Sequence, residues 1–176
     1  MAKMEIVTYG NPVLRQRAEE IKIVDKDIMK IVHDMIDTLD EGGVGLAATQ
    51  IGIPKKIMLI DLSKTGDEKK ITLLNPSIIY RSFEEVEYEE GCLSVPDVWG
   101  MVSRPKSIKL RGTLPGGKSI LIDAENYFAR VLQHEMDHLD GKLFIDYLEH
   151  KDRNKNKERI EEILDKNRKK FGDICL

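Results

Sequence analysis

The segment "DAENYFARVLQHEMDHLDG" (123–141) constrains the fold more than any other stretch. Asp123 is a plausible N-cap and Gly141 a C-terminal stop, so the spacing predicts a helix between them. Tyr127, Val131, His134 and His138 fall at i, i+4, i+7 and i+11, on one helical face. Phe128, Leu132 and Leu139 widen that face, which must then look inward. Two of the chain's four histidines are thereby directed at the core, where an imidazole needs a polar partner. Side chains four apart on a helix are about 5–6 Å apart at Cβ, within reach of one metal ion. Glu135 directly follows the first histidine, close enough to take a proton from a metal-bound water. A third ligand has to come from elsewhere in the chain.

The remaining sequence predicts a single α+β domain over 1–176, built of mixed or antiparallel sheets around that helix. "DKDIMKIVHDMIDTLDEGG" (25–43) reads as an N-terminal amphipathic helix capped by Asp25 or Asp27 and stopped by its Gly pair. His33 lies off the apolar stripe and reads as a surface residue. "GVGLAATQIGIP" (43–54) is too rich in glycine and small residues for a helix and reads as a loop or irregular strand. "KIMLIDLS" (56–63) and "ITLLNPSIIY" (71–80) read as strands, and "SIKLRGTLPGGKSILIDA" (107–124) as a hairpin turning at "PGG". The acidic run "FEEVEYEE" (83–90) reads mostly as a solvated strand face. Residues 151–176 form a charged, loosely docked helix or tail; 151–170 hold nine basic and five acidic residues.

Composition narrows the partners. A formal charge of −3 argues against a dedicated nucleic-acid binder, whose domain is usually basic. No apolar run approaches the roughly 20 residues that cross a bilayer, and "MAKMEIVTYG" has no apolar signal region. Two cysteines, Cys92 and Cys175, make no disulfide framework, so a cytoplasmic, reducing setting is expected.

Two kinds of third ligand fit. Glu158, Glu161 and Glu162 lie about 20 residues beyond the helix, as in some zinc peptidases, although ion pairing with neighbouring Lys and Arg accounts for them equally well. The extended pattern with a third histidine is excluded, because Phe144 stands where that histidine would be. The other candidate is Cys92 in "EEGCLSVP"; a thiolate with two imidazoles leaves one position open for water. A metal-stabilised binding module, with no catalysis, is a third possibility.

Taken together, "GVGLAATQ" (43–50), "EGCLS" (90–94) and "QHEMDHLDG" (133–141), in this order, resemble the peptide deformylases. "GNPVLRQRA" and "ARVLQHEMDHLDG" agree more loosely, so the likeness reaches to about residue 148. Thr49 stands where many members carry proline, a difference expected to touch no ligand. The resemblance implies that Cys92, His134 and His138 bind one divalent metal: Fe2+ in this family, with Zn2+ or Ni2+ as substitutes. It implies that Glu135 moves the proton while hydroxide attacks the formyl carbon of an N-formylmethionyl nascent peptide, releasing formate. The Gln50 amide and the Leu93 N–H would stabilise the oxyanion, and the Gly45 backbone would hold the substrate. Val44, Tyr127 and Val131, with the stem of Arg130, become candidates for the methionine pocket. Glu90 and Arg104 would form either an ion pair bracing the Cys92 strand or a surface pair. Trp99 would border the substrate groove or cover the core. Tails of some members touch the ribosome, which makes the charged C-terminal segment a candidate for a transient contact.

Overall fold

The computed structural model describes residues 3–39 and 42–171, so Cys175 and, within the predicted first helical segment, Asp40 and Glu41 lie outside it. The first helix, α1 (Lys26–Leu39), begins where the Asp25 carboxylate accepts from Ile28 N–H at 2.9 Å. It buries Ile28, Val32, Met35 and Leu39 and leaves His33 exposed. The glycine-rich segment becomes a short strand, β1 (Gly45–Ala47), followed by a 3-10 turn (Ala48–Ile51) that ends at Gly52 in the left-handed region.

Next come β2 (Ile57–Asp61), β3 (Lys70–Arg81), β4 (Glu85–Cys92), β5 (Val95–Pro105), β6 (Ser107–Thr113) and β7 (Ser119–Glu125). Five of them make one sheet in the order β1-β2-β3-β6-β7, and β4 and β5 pair separately. Every strand pairing is antiparallel. The β6–β7 hairpin closes where predicted, with Leu114 N–H on Lys118 O and Gly117 at φ +84.

The second helix, α2 (Asn126–Leu139), has Glu125 at its N-cap and so starts two residues later than a cap at Asp123 implies. Asp123 is no N-cap: it pairs with Lys109 across β6–β7 at 2.7 Å, because the strand runs on to Glu125. The predicted stop holds, with Gly141 at φ +74.

All five residues of β2 are buried because the sheet is covered on both faces. Ile57 and Leu59 pack with Val32, Met35 and Leu39 of α1. Met58 and Ile60, pointing the other way, pack with Ala129, Leu132 and Leu139 of α2. The helix carrying the two histidines thus lies on one sheet face, and β1 approaches it directly.

The C-terminal segment is docked, not loose. It forms α3 (His150–Lys155) and α4 (Lys157–Phe171), and Ile163 and Leu164 join Tyr9, Val95, Val98, Val102 and Phe144 in a separate core. It also covers the outer edge of β5. Asp152 accepts from Met101 N–H at 2.9 Å, Asn156 donates to Trp99 O at 2.8 Å, and Arg159 donates to Pro96 O at 3.2 Å. Gly100 leaves room for this approach, since a Cβ there would stand 2.4 Å from Leu148 Cδ2. No helix among the described residues is long and apolar enough to cross a membrane.

Candidate active site

Three segments meet between the two sheets. α2 supplies His134, Glu135 and His138, the end of β4 supplies Cys92, and the turn after β1 supplies Gln50. One ligand atom from each of Cys92, His134 and His138 lies within 4.8 Å of the others, the sole such group among the described residues. Cys92 Sγ is 3.2 Å from His138 Nε2. A thiolate and two imidazoles are the donor set of an open catalytic site, with bonds of about 2.3 Å to sulfur and 2.0–2.1 Å to nitrogen for zinc. The residues present therefore fit a divalent ion. Glu158, Glu161 and Glu162 are exposed on α4, and Arg159 and Lys157 pair with Glu162 and Glu161. They do not join the histidines.

Glu90 is the buried exception in its acidic strand, and it organises the site. Its carboxylate takes Arg104 at 2.6 and 3.0 Å, Arg130 at 2.6 Å and His134 Nδ1 at 2.9 Å. The bracing ion pair anticipated between Glu90 and Arg104 is present, and both side chains are buried. Accepting from Nδ1–H fixes the His134 tautomer and leaves Nε2 for a metal. Burial opposes the Glu90 charge, but the hydrogen bonds from His134 and Arg104 outweigh it and hold the carboxyl well below its usual range. Burial likewise depresses His134, yet bonds to Cys92 and Glu90 raise its pKa well above the ordinary value. The Nδ1 of His138 has no such partner among the described residues, and burial first, then the charges of His134 and Arg104, push its pKa down.

Glu135 is buried, and its Oε2 has no hydrogen-bond partner among the described residues. Burial pushes its pKa up to about 7, which suits a group that must both take and return a proton near neutrality. Gly45 explains its own identity here: a Cβ would stand 2.3 Å from Glu135 Oε1 and 2.8 Å from Cδ. Gln50 is fully buried, its Oε1 accepting from Ala47 N–H at 2.8 Å. Its Nε2 points at Ser94 Oγ (3.3 Å) and Cys92 Sγ (3.6 Å), so the amide donor faces the ligand cluster.

A cleft of about 530 Å³ runs past these groups. Val44, Gly45, Cys92, Leu93, Trp99, Tyr127 and Val131 are among its lining residues. All the anticipated pocket residues line it, Arg130 included, although that guanidinium is spent on Glu90 and on the carbonyls of Val86 and Val102. Trp99 borders the cleft, lying across Gly91 so closely that a Cβ there would meet its ring at 2.7 Å.

Sequence reasoning missed three participants. Ser94, wholly buried, orients the Gln50 amide and donates its N–H to Cys92 Sγ at 3.4 Å. Asp137 holds Arg104 from the far side at 2.6 Å. Thr49 does touch a candidate ligand residue, contrary to expectation: its hydroxyl donates to His138 O at 3.2 Å. Only the neighbouring motifs could have flagged Ser94 and Asp137, since each acts on a residue in another segment.

Comparison with known proteins identifies the family and matches the fold. Residues 3–154 match the polypeptide deformylase family. The peptide deformylase of Rhizobium meliloti is 43% identical over 145 residues, covering 81% of this chain and 83% of that protein. That of Saccharophagus degradans is 41% identical over 162 residues, covering 92% of this chain and 94% of the relative. Peptide deformylase 1B of Arabidopsis thaliana, solved with an inhibitor, superposes with a TM-score of 0.89 at 35% identity over 97% of this chain and 95% of its own. A Legionella pneumophila peptide deformylase gives 0.84 at 36% identity over 92% and 95%. The chain belongs to the polypeptide deformylase family.

Proposed function

We propose that Cys92, His134 and His138 together hold one divalent ion and that Glu135 is the proton shuttle of the reaction. The family's activity is hydrolytic removal of the N-formyl group from nascent peptides, and this chain carries it. The observation that supports the assignment of roles is the convergence of the three ligand atoms beside a buried carboxylate whose pKa is pushed up to about 7.

An ion bound there supplies Lewis-acid polarisation of the formyl oxygen and acidifies water. The substrate lies along the cleft, its backbone against Gly45 and its first side chain toward Val44, Tyr127 and Val131, with the stem of Arg130 beside them. Glu135 takes one proton from the attacking water. As negative charge develops on the formyl oxygen, the Gln50 Nε2–H and the Leu93 N–H donate to it; one such donor is typically worth about 10²–10³ in turnover. Glu135 returns the proton to the α-nitrogen as the C–N bond breaks, and formate and a free amino terminus leave. Glu90, steadied by Arg104 and Arg130, holds the His134 ring throughout.

Formate release from a formyl-Met-Ala-Ser peptide by anaerobically prepared protein tests this reading. Glu135→Gln should retain the metal and lose about 10²–10⁴-fold in rate; unchanged hydrolysis would remove Glu135 from its role. Fe2+ is the ion proposed, on the family resemblance, with Zn2+ and Ni2+ as substitutes, because affinity order alone favours zinc. Equal activity after aerobic and anaerobic purification would count against iron. A cytoplasmic location follows from the same reading, since nascent formylated chains are made there. Lys166, Lys169 and Lys170, exposed on α4, are the surface proposed for transient ribosome contact, to be tested by co-sedimentation of the charge-reversed protein.

A further inference from the structure

The two histidines of α2 are held in different ways. His134 is fixed through its ring, whose Nδ1 bonds Glu90 at 2.9 Å. The Nδ1 of His138 is buried and has no hydrogen-bond partner among the described residues. The ring's polar contact among the described residues is Nε2 to Cys92 Sγ at 3.2 Å. It lies on the side turned toward the candidate ligands, so no hydrogen bond holds the ring from behind and that task falls to the backbone. That backbone is the penultimate residue of α2, in the last turn, where carbonyls lack intrahelical partners and helices fray. The His138 carbonyl accepts a long bond from Gly141 N–H (3.3 Å) and one from the Thr49 hydroxyl (3.2 Å). Thr49 is wholly buried, so water does not compete for either end of its bond.

Thr49 precedes Gln50 in the 3-10 turn Ala48–Ile51, and Gln50 reaches Cys92 and Ser94 from that turn. One short, rigid turn thus touches two ligand-bearing segments, with His138 on one side and Cys92 on the other. We propose that Thr49 is a positioning residue that sets the depth of His138 relative to Cys92, and so governs how tightly the site retains its ion. The proposal rests on the reading of Cys92, His134 and His138 as ligands.

The test measures Co2+ affinity and dissociation by competition with a chelator, alongside substrate KM, in the full chain. Thr49→Val keeps the shape and removes the hydroxyl; Thr49→Ser keeps the hydroxyl and removes the methyl. Thr49→Ala provides the hydroxyl deletion if the valine variant does not fold. Loss of one neutral hydrogen bond corresponds to about fivefold weaker Co2+ binding. The expected result is that loss in Thr49→Val, with affinity restored in Thr49→Ser and KM unchanged in both. Parent-like affinity in Thr49→Val, or an equal loss in Val and Ser, would overturn the role of the hydroxyl. Cys92→Ala, run in parallel, separates the two readings. If it too binds Co2+ like the parent, the ligand assignment fails; if it alone loses Co2+, only the role of Thr49 fails.

Discussion

The Glu135 carboxylate occupies the space that a side chain at residue 45 would need. A Cβ on Gly45 would lie 2.3 Å from Oε1 and 2.9 Å from Cγ, inside any tolerable contact. Gly45→Ala should therefore displace Glu135, the proposed proton shuttle, rather than unfold the sheet. Shifts of about 1 Å at a reacting group cost on the order of 10²-fold, so kcat should fall by about that much with metal content intact. Steady-state kinetics with metal analysis decides it; parent-like kcat would mean that Glu135 moves aside freely.

Glu90 binds two arginines and the proposed ligand His134 with one carboxylate. Glu90→Gln keeps the size but loses the charge, leaving Arg104 and Arg130 facing a neutral amide in a buried site. Outer partners of metal-binding histidines typically contribute 10–100-fold in affinity, and a loss in about that range is expected here. Chelator competition gives the number. Retention of full affinity would show that the His134 orientation is set by α2 alone.

Asp61 provides a pH signature remote from the catalytic groups. Its side chain is 9% exposed and pairs with Lys70 at 2.7 Å and with Ser63 Oγ at 2.6 Å. The Lys70 bond foremost, then Ser63, lowers its pKa from 3.8 to about 2. A depressed carboxylate pKa means that the folded state binds fewer protons than the unfolded one between these values. The stabilisation is complete above about pH 4 and is lost as pH falls toward 2. Lys70 is 47% exposed, so the contribution is set at about 1 kcal/mol. Urea denaturation of parent and Asp61→Asn should differ by that amount near neutrality and converge in acid. A gap independent of pH would exclude the charge as its cause.

Asn167 anchors α4. Its Nδ2 donates to Thr8 Oγ1 at 2.8 Å and to Tyr9 O at 2.9 Å, and its Cβ lies 2.9 Å from where a Cβ on Gly10 would stand. Asn167→Leu leaves buried acceptors unmatched, which costs about 1–3 kcal/mol. A thermal melt should show the loss, and activity at 25 °C should stay near parent values, since the cleft is untouched. An unchanged melting temperature would mean that the apolar contacts of Ile163 and Leu164 hold the helix unaided.

The parts that were legible in the sequence are those that local chemistry writes into one segment. The facing histidines, the Asp25 cap, the "PGG" turn and the Gly141 stop each depend on neighbours within a few residues. The start of α2 was misplaced because Asp123 is equally suited to a cap and to a cross-strand pair with Lys109, and only the register of β6 against β7 decides. Glu90 stood between a bracing pair with Arg104 and a surface pair because burial of one carboxylate among several depends on Arg104, Arg130 and His134, which lie 14, 40 and 44 residues away. The docking of α4 was undervalued because its apolar stripe is narrow. Ile163 and Leu164 suffice because the surface they meet, around Tyr9 and Val98, is already shaped.

The contacts of Asp152, Asn156 and Arg159 along β5 bear on how the chain is made. Residues 95–105 leave the ribosome about fifty residues before the groups that cover their outer edge. During that interval a two-stranded ribbon carrying Trp99 and Met101 presents bare amides and carbonyls, a template onto which another chain can pair. The segment made about fifty residues later therefore acts as a guard against self-association, and a chain cut short after residue 150 would keep its site-bearing helix while losing that protection.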